Sequence, residues 1–584
     1  MSLRPEKTDS FSYRDLARHF LPIVRPYSLR FGAGISLIVL STGIDLLTPI
    51  LLGRAVDTVA MPSPDRALLY RICWLFLGLV AAKYVFDIFK AYLIQSAGEK
   101  VKHDLRTLLF TRIAHLPVTY FDRNPIGRPL TRVVNDVRTL GELFGASISM
   151  TVLDVLIITG TLGAMFWLNW QLALVVLITF PLIVVAVQIF SKHLHTAYRA
   201  VRTHLSEMNA FLGENVGAVA TIQRLAAQGP RMDTFSGIVD KHYGAQMKSL
   251  RTYALMQPTI HSLNGVAMAT LIGVGGYWAI QGKITLGVIV AFLGYNRNLF
   301  YPLRDLIEKY NLILNAKVSA ERVLDILEEP VEMEYREGRD PARLSDIDIE
   351  FRDVSFRYPT RDQNALTDIN LKIPGGSSLA IVGATGAGKS SLIRLLLRFY
   401  EPTRGTISFG GKNLTEWDKA DLRSQIGVVH QEIYLFQGTV RENLTLGKAG
   451  FSDELLIEKC RQAQIWDALE SRGGLDMEVH EGGSDFSVGE KQLLSFARVL
   501  VFDPPMIVLD EATASVDRQN EHHLMEAIRQ ILRDRTSIII AHRLSTIEAC
   551  DNIAVFEHGE LKEIGSFDEL IQKKGLFWNF HQIQ

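Results

Sequence analysis

The stretch Gly383-Ala384-Thr385-Gly386-Ala387-Gly388-Lys389-Ser390 decides how the second half of this chain folds. It fits G-x-x-x-x-G-K-[ST], a turn whose backbone N–H groups cradle phosphates. An apolar run, Leu379–Val382, leads into the turn, and Ser391-Leu-Ile-Arg-Leu-Leu-Leu397 continues it at helical spacing. Strand, glycine loop and helix in that order is the context in which this motif holds a nucleoside triphosphate, because the helix N-terminus favours the phosphate charge. Lys389 is predicted to reach the β- and γ-phosphates and Ser390 a Mg²⁺ ion. Further on, Met506-Ile-Val-Leu-Asp510-Glu511 reads as an apolar strand ending in two carboxylates. Asp510 suits Mg²⁺ held through water, and Glu511 stands where it can polarise an attacking water.

The 584 residues exceed what one globular core usually holds, so at least two domains are expected. A net charge of −1 gives no global sign of a nucleic-acid binder. The mean hydropathy of +0.13 averages two unlike halves: residues 30–320 carry the apolar runs, and 345–584 read as a soluble α/β domain. The cysteines Cys73, Cys460 and Cys550 lack ligand spacing, which indicates buried spectator thiols rather than disulfides or zinc. The first residues lack the apolar core of a signal peptide.

A membrane-spanning helix needs roughly 20 mostly apolar residues. Six candidates occur, at about 30–52, 69–95, 143–168, 171–192, 257–281 and 285–305. The second carries Lys83, Asp87 and Lys90, and the sixth Arg297 and Arg304. Such charges are costly at a bilayer centre, so these helices are expected to run past the membrane into the cytosol. The link Leu168-Asn-Trp170 has room only for a tight turn, flanked by Trp167 and Trp170 as interfacial aromatics. The long connections 96–142 and 193–256 are rich in Lys and Arg, while the opposite links are short. That asymmetry places the long connections, both termini and the nucleotide site in the cytosol. Val101, Leu105, Leu108, Leu109 and Ile113 recur at helical spacing, so the long connections are helical extensions. Between the spans, Asp154, Gln257, His261, Asn264 and Asn296 are polar candidates for a mostly apolar substrate path.

Phe486-Ser487-Val488-Gly489-Glu490-Lys491-Gln492, placed shortly before the Met506–Asp510 strand, resembles the signature motif of ATP-binding cassette (ABC) proteins. With the membrane half, the chain resembles an ABC exporter half-transporter of the type IV multidrug or lipid exporter-like family, one half of a bacterial heterodimeric exporter. The stretches from Tyr120 to Val137 and from Gly213 to Gln223 resemble that family's first two intracellular loops, which carry coupling helices. The resemblance implies an α-helical membrane domain of six transmembrane helices with long cytosolic extensions, over 1–319. A linker at 320–346 and an α/β P-loop nucleotide-binding domain at 347–584 follow. It implies ATP and Mg²⁺ as cofactors. Tyr358 matches the aromatic that stacks on adenine. Gly383, Thr385, Gly386, Ala387, Gly388, Lys389, Ser390 and Ser391 match the phosphate loop. Gln431 matches the Q-loop and, with Ser390 and Asp510, the metal site. Glu478–Gly483 resembles the exporter-specific loop, Ser515-Val-Asp517 the D-loop, and His542 the switch histidine on the γ-phosphate. Glu511, His542 and Gln431 are the implied catalytic residues.

The signature departs from Leu-Ser-Gly-Gly-Gln. Ser487 and Gly489 are retained, so a helix N-terminus can still face phosphate. Val488 adds bulk in place of a glycine, and Glu490 adds charge in place of a glutamine. An acid in the first turn suits the helix but opposes a γ-phosphate. In the family, each ATP is sandwiched between one chain's Walker residues and the other's signature. Intact Walker residues beside an altered signature favour a heterodimer, with a homodimer as the alternative. The reading is an ATPase that exports hydrophobic or amphipathic molecules, of multidrug or lipid type, across the inner (cytoplasmic) membrane. Another cargo on the same fold, a peptide or an imported siderophore, is the alternative. The expected partners are the second half-transporter, membrane lipid and the hydrophobic substrate, with no nucleic acid. A soluble DNA-repair ATPase shares the signature but lacks spanning helices. A nucleotide-gated channel or regulatory subunit usually lacks the glutamate that Glu511 supplies.

Overall fold

The computed structural model describes residues 13–332, 347–510, 525–530, 532, 535–541 and 543–583. The chain divides into two compact units, Met1–Ile113 with Gly127–Glu329, and Ala114–Ile126 with Pro330–Gln584.

The first unit is helical. It comprises α1 (Tyr13–Val24), α2 (Ser28–Ala60), α3 (Arg66–Ala114), α5 (Gly127–Thr131), α6 (Val137–Glu142), α7 (Ile148–Gly217), α8 (Val219–Arg224), α9 (Gln228–Ile280) and α10 (Leu286–Glu328); α4 (Val118–Arg123) belongs to the second unit. Among the described residues, four helical stretches are long and apolar enough to cross a membrane: Arg14–Ala60, Arg66–Ala114, Gly127–Gly217 and Gln228–Ile280. The third holds two of the predicted spans. They part at Asn169, whose extended φ of −161° and ψ of 103° break the helix. Its side-chain oxygen then accepts the Leu172 N–H at 2.8 Å, which starts the next helix. The sixth predicted span lies at the start of α10.

At 49 residues, α3 is about 74 Å long, far more than the roughly 30 Å of a hydrocarbon core. Its charges are also paired. Lys83 donates to Asp45 of α2 at 2.5 Å, and Asp87 accepts from Ser41 at 2.7 Å and from Lys90 at 2.5 Å. Leu172, Leu271, Phe292 and Tyr295 form an interior cluster, while Trp74, Trp167, Ile178 and Leu182 face outward. Apolar side chains outside and satisfied backbone inside is what a lipid solvent requires. Cys73 is exposed on α3, contrary to the expectation of a buried thiol. It lies within a stretch long and apolar enough to cross a membrane, where exposure need not mean contact with water. The apolar-poor segment from residue 320 was expected to be linker, yet α10 continues to Glu328. Ala320, Val323, Leu324 and Ile326 are buried along it.

The second unit carries strands β1 (Ile349–Phe356), β2 (Leu366–Ile373), β3 (Ser378–Val382), β4 (Arg404–Phe409), β5 (Lys412–Asn413), β6 (Ile426–Val429), β7 (Gly438–Thr439), β8 (Glu478–Val479), β9 (Met506–Asp510), β10 (Thr536–Ile540), β11 (Asn552–Glu557) and β12 (Glu560–Gly565). One sheet runs β12-β11-β3-β10-β9-β6, and a four-stranded antiparallel sheet runs β2-β1-β4-β5. Strands β3, β10 and β9 pair in parallel and are buried along nearly their whole length, so they read as continuous apolar runs. The helices include α11 (Lys389–Leu396), α12 (Lys419–Ser424), α13 (Val440–Thr445), α14 (Asp453–Gln462), α15 (Trp466–Glu470) and α16 (Val488–Phe502). Leu392, Ile393, Leu395 and Leu396 bury one face of α11, each worth about 1.5–3 kcal/mol. That packing fixes the helix whose N-terminus closes the phosphate loop. Burial pushes the thiols of Cys460 and Cys550 up to about 12, so both stay protonated, as spectators should.

Candidate functional site

The chain leaves β3 at Val382, turns through Gly383–Gly388 and enters α11 at Lys389. Two glycines show why the turn needs that residue type. Gly388 has φ +102°, and a Cβ there would meet the Ala365 carbonyl oxygen at 2.7 Å. Gly386 has φ +86° and open space around it, so its backbone can approach a phosphate. Lys389 is buried, and its ammonium donates to the carbonyl oxygens of Gly383 at 2.6 Å and Ala384 at 3.2 Å. The lysine is therefore held against the backbone of the loop that it serves. Ser390 is exposed at the cleft, and Ser391 is buried beneath it.

The loop opens onto a cleft of about 750 Å³ in the second unit, bounded also by Tyr358, Gln431 and Asp510. The Tyr358 ring stands edge-on to Phe356 and Tyr400, at 4.7 and 5.1 Å between centroids. Its hydroxyl lies 2.9 Å from Ser391 Oγ, and the guanidiniums of Arg361 and Arg394 lie 6.0 and 5.8 Å from the ring. Asp510 ends β9, and Gln431 follows β6. Tyr358, residues 385–391, Gln431 and Asp510 are thus brought together. Glu511, Ser515–Asp517 and His542 lie outside the described residues.

A polar cradle with an open glycine backbone, a buried lysine at one end and an aromatic ring with two cations at the other fits a nucleoside triphosphate. A serine hydroxyl, an amide oxygen and a carboxylate beside it are the hard oxygen donors that Mg²⁺ takes. Thr119, Asp122 and Arg123 of α4 also line the cleft, and the Tyr400 hydroxyl donates to the Asp122 carboxylate. The segment from Tyr120 was read as an intracellular loop of the kind that meets the ATPase domain, but no spacing in the sequence links 119–123 to Tyr358 and Tyr400 in particular.

Ser487 and Gly489 do not line this cleft; they sit at the start of α16. Ser487 Oγ accepts the Glu490 N–H at 3.2 Å, and the Glu490 carboxylate accepts the Ser487 N–H at 2.7 Å. That reciprocal cap was readable as Ser-x-x-Glu. The Glu490 carboxylate also accepts from Arg472 at 2.8 Å, and Arg472 lies over the Phe486 ring at 4.9 Å. The unusual acid is therefore neutralised within its own unit. Val488 is 52% exposed, so its added bulk projects outward from the helix start. Nearby, the Asp485 carboxyl is held below its ordinary range by the backbone N–H and the ring of His480.

Of the polar candidates in the membrane unit, Asp154 of α7 pairs with Lys309 of α10, and Asn264 of α9 accepts from Asn296 of α10 at 2.8 Å. Gln257 donates to the Tyr253 hydroxyl at 3.3 Å, and His261 is exposed. The first two pairs tie helices together.

A lipid-facing helical unit joined in one chain to a P-loop unit with a capped signature helix defines a nucleotide-driven membrane transporter. A family model for the ABC transporter transmembrane region matches residues 31–303, and one for the ABC transporter matches residues 366–514. The chain is 33% identical over 581 residues to a Staphylococcus aureus (strain NCTC 8325) candidate multidrug export ATP-binding/permease protein, covering 97% of this chain and 100% of the relative. It is also 33% identical over 542 residues to YknV, an uncharacterized ABC transporter ATP-binding protein of Bacillus subtilis (strain 168), covering 92% and 89%. The chain belongs to the ABC transporter family. It is a multi-pass membrane protein with an ATP-binding domain, an ATPase coupled to transport. Such transporters work as dimers of half-transporters.

Proposed function

We propose that the chain is one half of an exporter that moves hydrophobic or amphipathic molecules, of multidrug or lipid type, out of the cell by alternating access. The observation that carries this reading is the pairing, in one chain, of the polar P-loop cleft with a membrane unit whose helix contacts are mostly apolar. The multidrug-export name of the Staphylococcus aureus relative, matched along its whole length, supports the same direction and cargo class. The membrane is the inner (cytoplasmic) one. The basic connections, both termini and the ATPase domain face the cytosol, which follows from the charge asymmetry of the links. The domains are a transmembrane domain over 1–319, a linker over 320–346 into which α10 runs as far as Glu328, and a nucleotide-binding domain over 347–584.

In this reading Tyr358 stacks on adenine, and the backbone of Gly383–Gly388 with Thr385, Ser390 and Ser391 cradles the phosphates. Lys389 leaves its two carbonyl partners to hold the β- and γ-phosphates. Glu511 orients and deprotonates the attacking water, His542 holds the γ-phosphate, and Gln431 reports its presence. Ser390, Gln431 and Asp510 would hold Mg²⁺, which supplies charge neutralisation when bound. Ser487 and Gly489 serve the ATP bound by the partner half. Val488, projecting at the start of α16, favours a heterodimer in which this chain's signature faces the weaker site.

The test is vesicular transport. Purified transporter in proteoliposomes should concentrate an amphipathic dye inside those vesicles whose ATPase domains face outward, with ATP and not with a non-hydrolysable analogue. ATP-dependent movement of a hydrophilic peptide or a ferric siderophore instead would replace the cargo assignment. The chain expressed alone should lack two equivalent, rapidly hydrolysing sites, and a homodimer that has them would refute the pairing.

A further inference from the structure

We infer that the loop-proximal ends of α2 and α3 form a binding site for the phosphate headgroup of an anionic phospholipid of the outer leaflet. The inference rests on the topology above, in which the 61–65 link lies outside the cell. A groove of about 440 Å³ opens between the two helices there. Leu51, Arg54 and Met61 line it from the α2 side, and Leu68, Arg71 and Leu75 from α3. Leu51 and Arg54 of α2, three residues apart, share one helical stripe, as do Leu68, Arg71 and Leu75 of α3, and Met61 follows directly after α2; the two stripes line the same groove.

Both arginines are exposed, and neither forms an ion pair with a carboxylate among the described residues. Asp57, which also borders the groove, is engaged elsewhere: it accepts the Thr285 hydroxyl and the Gly287 N–H, each at 2.7 Å. Arg54 lies about 9 Å from the end of α2 and Arg71 about 8 Å from the start of α3. The two guanidiniums therefore share one depth, that of the lipid headgroups. Met61, Leu68 and Leu75 are 50%, 41% and 52% exposed beside them. Each fits an acyl chain better than water.

Basic residues are depleted on the outer side of a membrane protein, and a single one there could simply extend its head to water. Two in one groove outnumber its single carboxylate, Asp57, so the groove keeps a net positive charge that a bound anion would offset. The fork of a guanidinium matches phosphate oxygens with paired hydrogen bonds. A phospholipid supplies the phosphate and the chains together, and so matches both the cations and the apolar walls.

The transporter, purified as its natural assembly, is placed in mixed micelles holding equal phosphatidylcholine and phosphatidylglycerol, and retained lipids are counted by native mass spectrometry. Wild type should retain phosphatidylglycerol with a preference of about tenfold. Arg54→Gln with Arg71→Gln should bring the preference to about onefold, and Arg54→Lys with Arg71→Lys should keep part of it. Basal ATPase activity in pure phosphatidylcholine should be unchanged in both variants, which certifies folding. An undiminished preference in the double glutamine variant overturns the site. Displacement of the lipid by millimolar inorganic phosphate would make it a free-anion site and overturns the lipid assignment. Orientation is read separately, by labelling Ser63→Cys with an impermeant maleimide on intact cells in a Cys73→Ala background. Labelling with no lipid preference overturns the site alone; absence of labelling overturns the topology on which it stands.

Discussion

Replacing Glu490 tests whether the altered signature is a working helix cap. In Glu490→Ala the Ser487 N–H loses its carboxylate acceptor at 2.7 Å and Arg472 loses its partner at 2.8 Å. Loss of half a capping box costs about 0.5–2 kcal/mol. The ion pair, with side chains 32% and 23% exposed, adds about 0.2–1 kcal/mol after screening. The start of α16 should therefore open about 3 to 160 times more often, a cost of about 0.7–3 kcal/mol. Glu490→Gln keeps an oxygen for the Ser487 N–H and loses only the charge, so it should exchange about 2 to 5 times faster than wild type. Arg472→Ala should exchange faster than the glutamine variant, because it also removes the hydrogen bond to the Asp485 carbonyl at 2.6 Å and the contact over Phe486, and adding Glu490→Gln to it should change little more. Hydrogen exchange by mass spectrometry on the full transporter, read on a peptide covering 486–494, measures this directly. Equal protection in wild type and Glu490→Ala would refute the cap, and alanine equal to glutamine would refute the backbone hydrogen bond as its main part.

Three further outcomes follow from other parts of the structure. Lys389→Ala should weaken ATP binding about 10-fold or more, since a charge-assisted contact to phosphate is worth about 1.5–3 kcal/mol; equilibrium binding of a fluorescent ATP analogue checks it. Asp154→Asn should lower the thermal stability of the detergent-solubilised transporter by leaving Lys309 unpaired, at a cost of about 3–5 kcal/mol; Asp154→Leu with Lys309→Met should recover much of the loss in the same melting assay. Cys460 and Cys550 should resist maleimide at pH 8 in the folded protein and react after unfolding, because thiolate forms only near pH 12 while they stay buried; mass spectrometry of the labelled peptides gives the answer.

What could be read from the sequence was local. The run Leu379–Val382 followed by glycines to Gly388 defined a strand, a loop and a helix start, and β3 and α11 occupy those places. Met506–Asp510 matched β9 residue for residue. The spans were legible because apolar composition alone marks them, and Asn169 breaks the helix where the Leu168–Trp170 link was placed. Helix ends were harder. The α3 helix continues to Ala114 through charged sequence, and α10 passes residue 320, because one buried stripe is enough to hold a helix that is polar elsewhere. Contacts between distant segments were not legible at all: Asp154 with Lys309, Tyr400 with Asp122, and Arg472 with Glu490. Glu490 read as a charge facing phosphate, whereas its arginine partner comes from a segment with no motif.

The most direct test of the whole account is ATP turnover by Glu511→Gln beside wild type, in the same lipid and the same assembly. Glu511 directly follows Asp510, the last residue of β9, in the sequence, and Asp510 lines the cleft. The account predicts that the variant still binds ATP while hydrolysis and ATP-dependent dye uptake both fall by about 100-fold or more. Turnover and transport at the wild-type rate in that variant would contradict it.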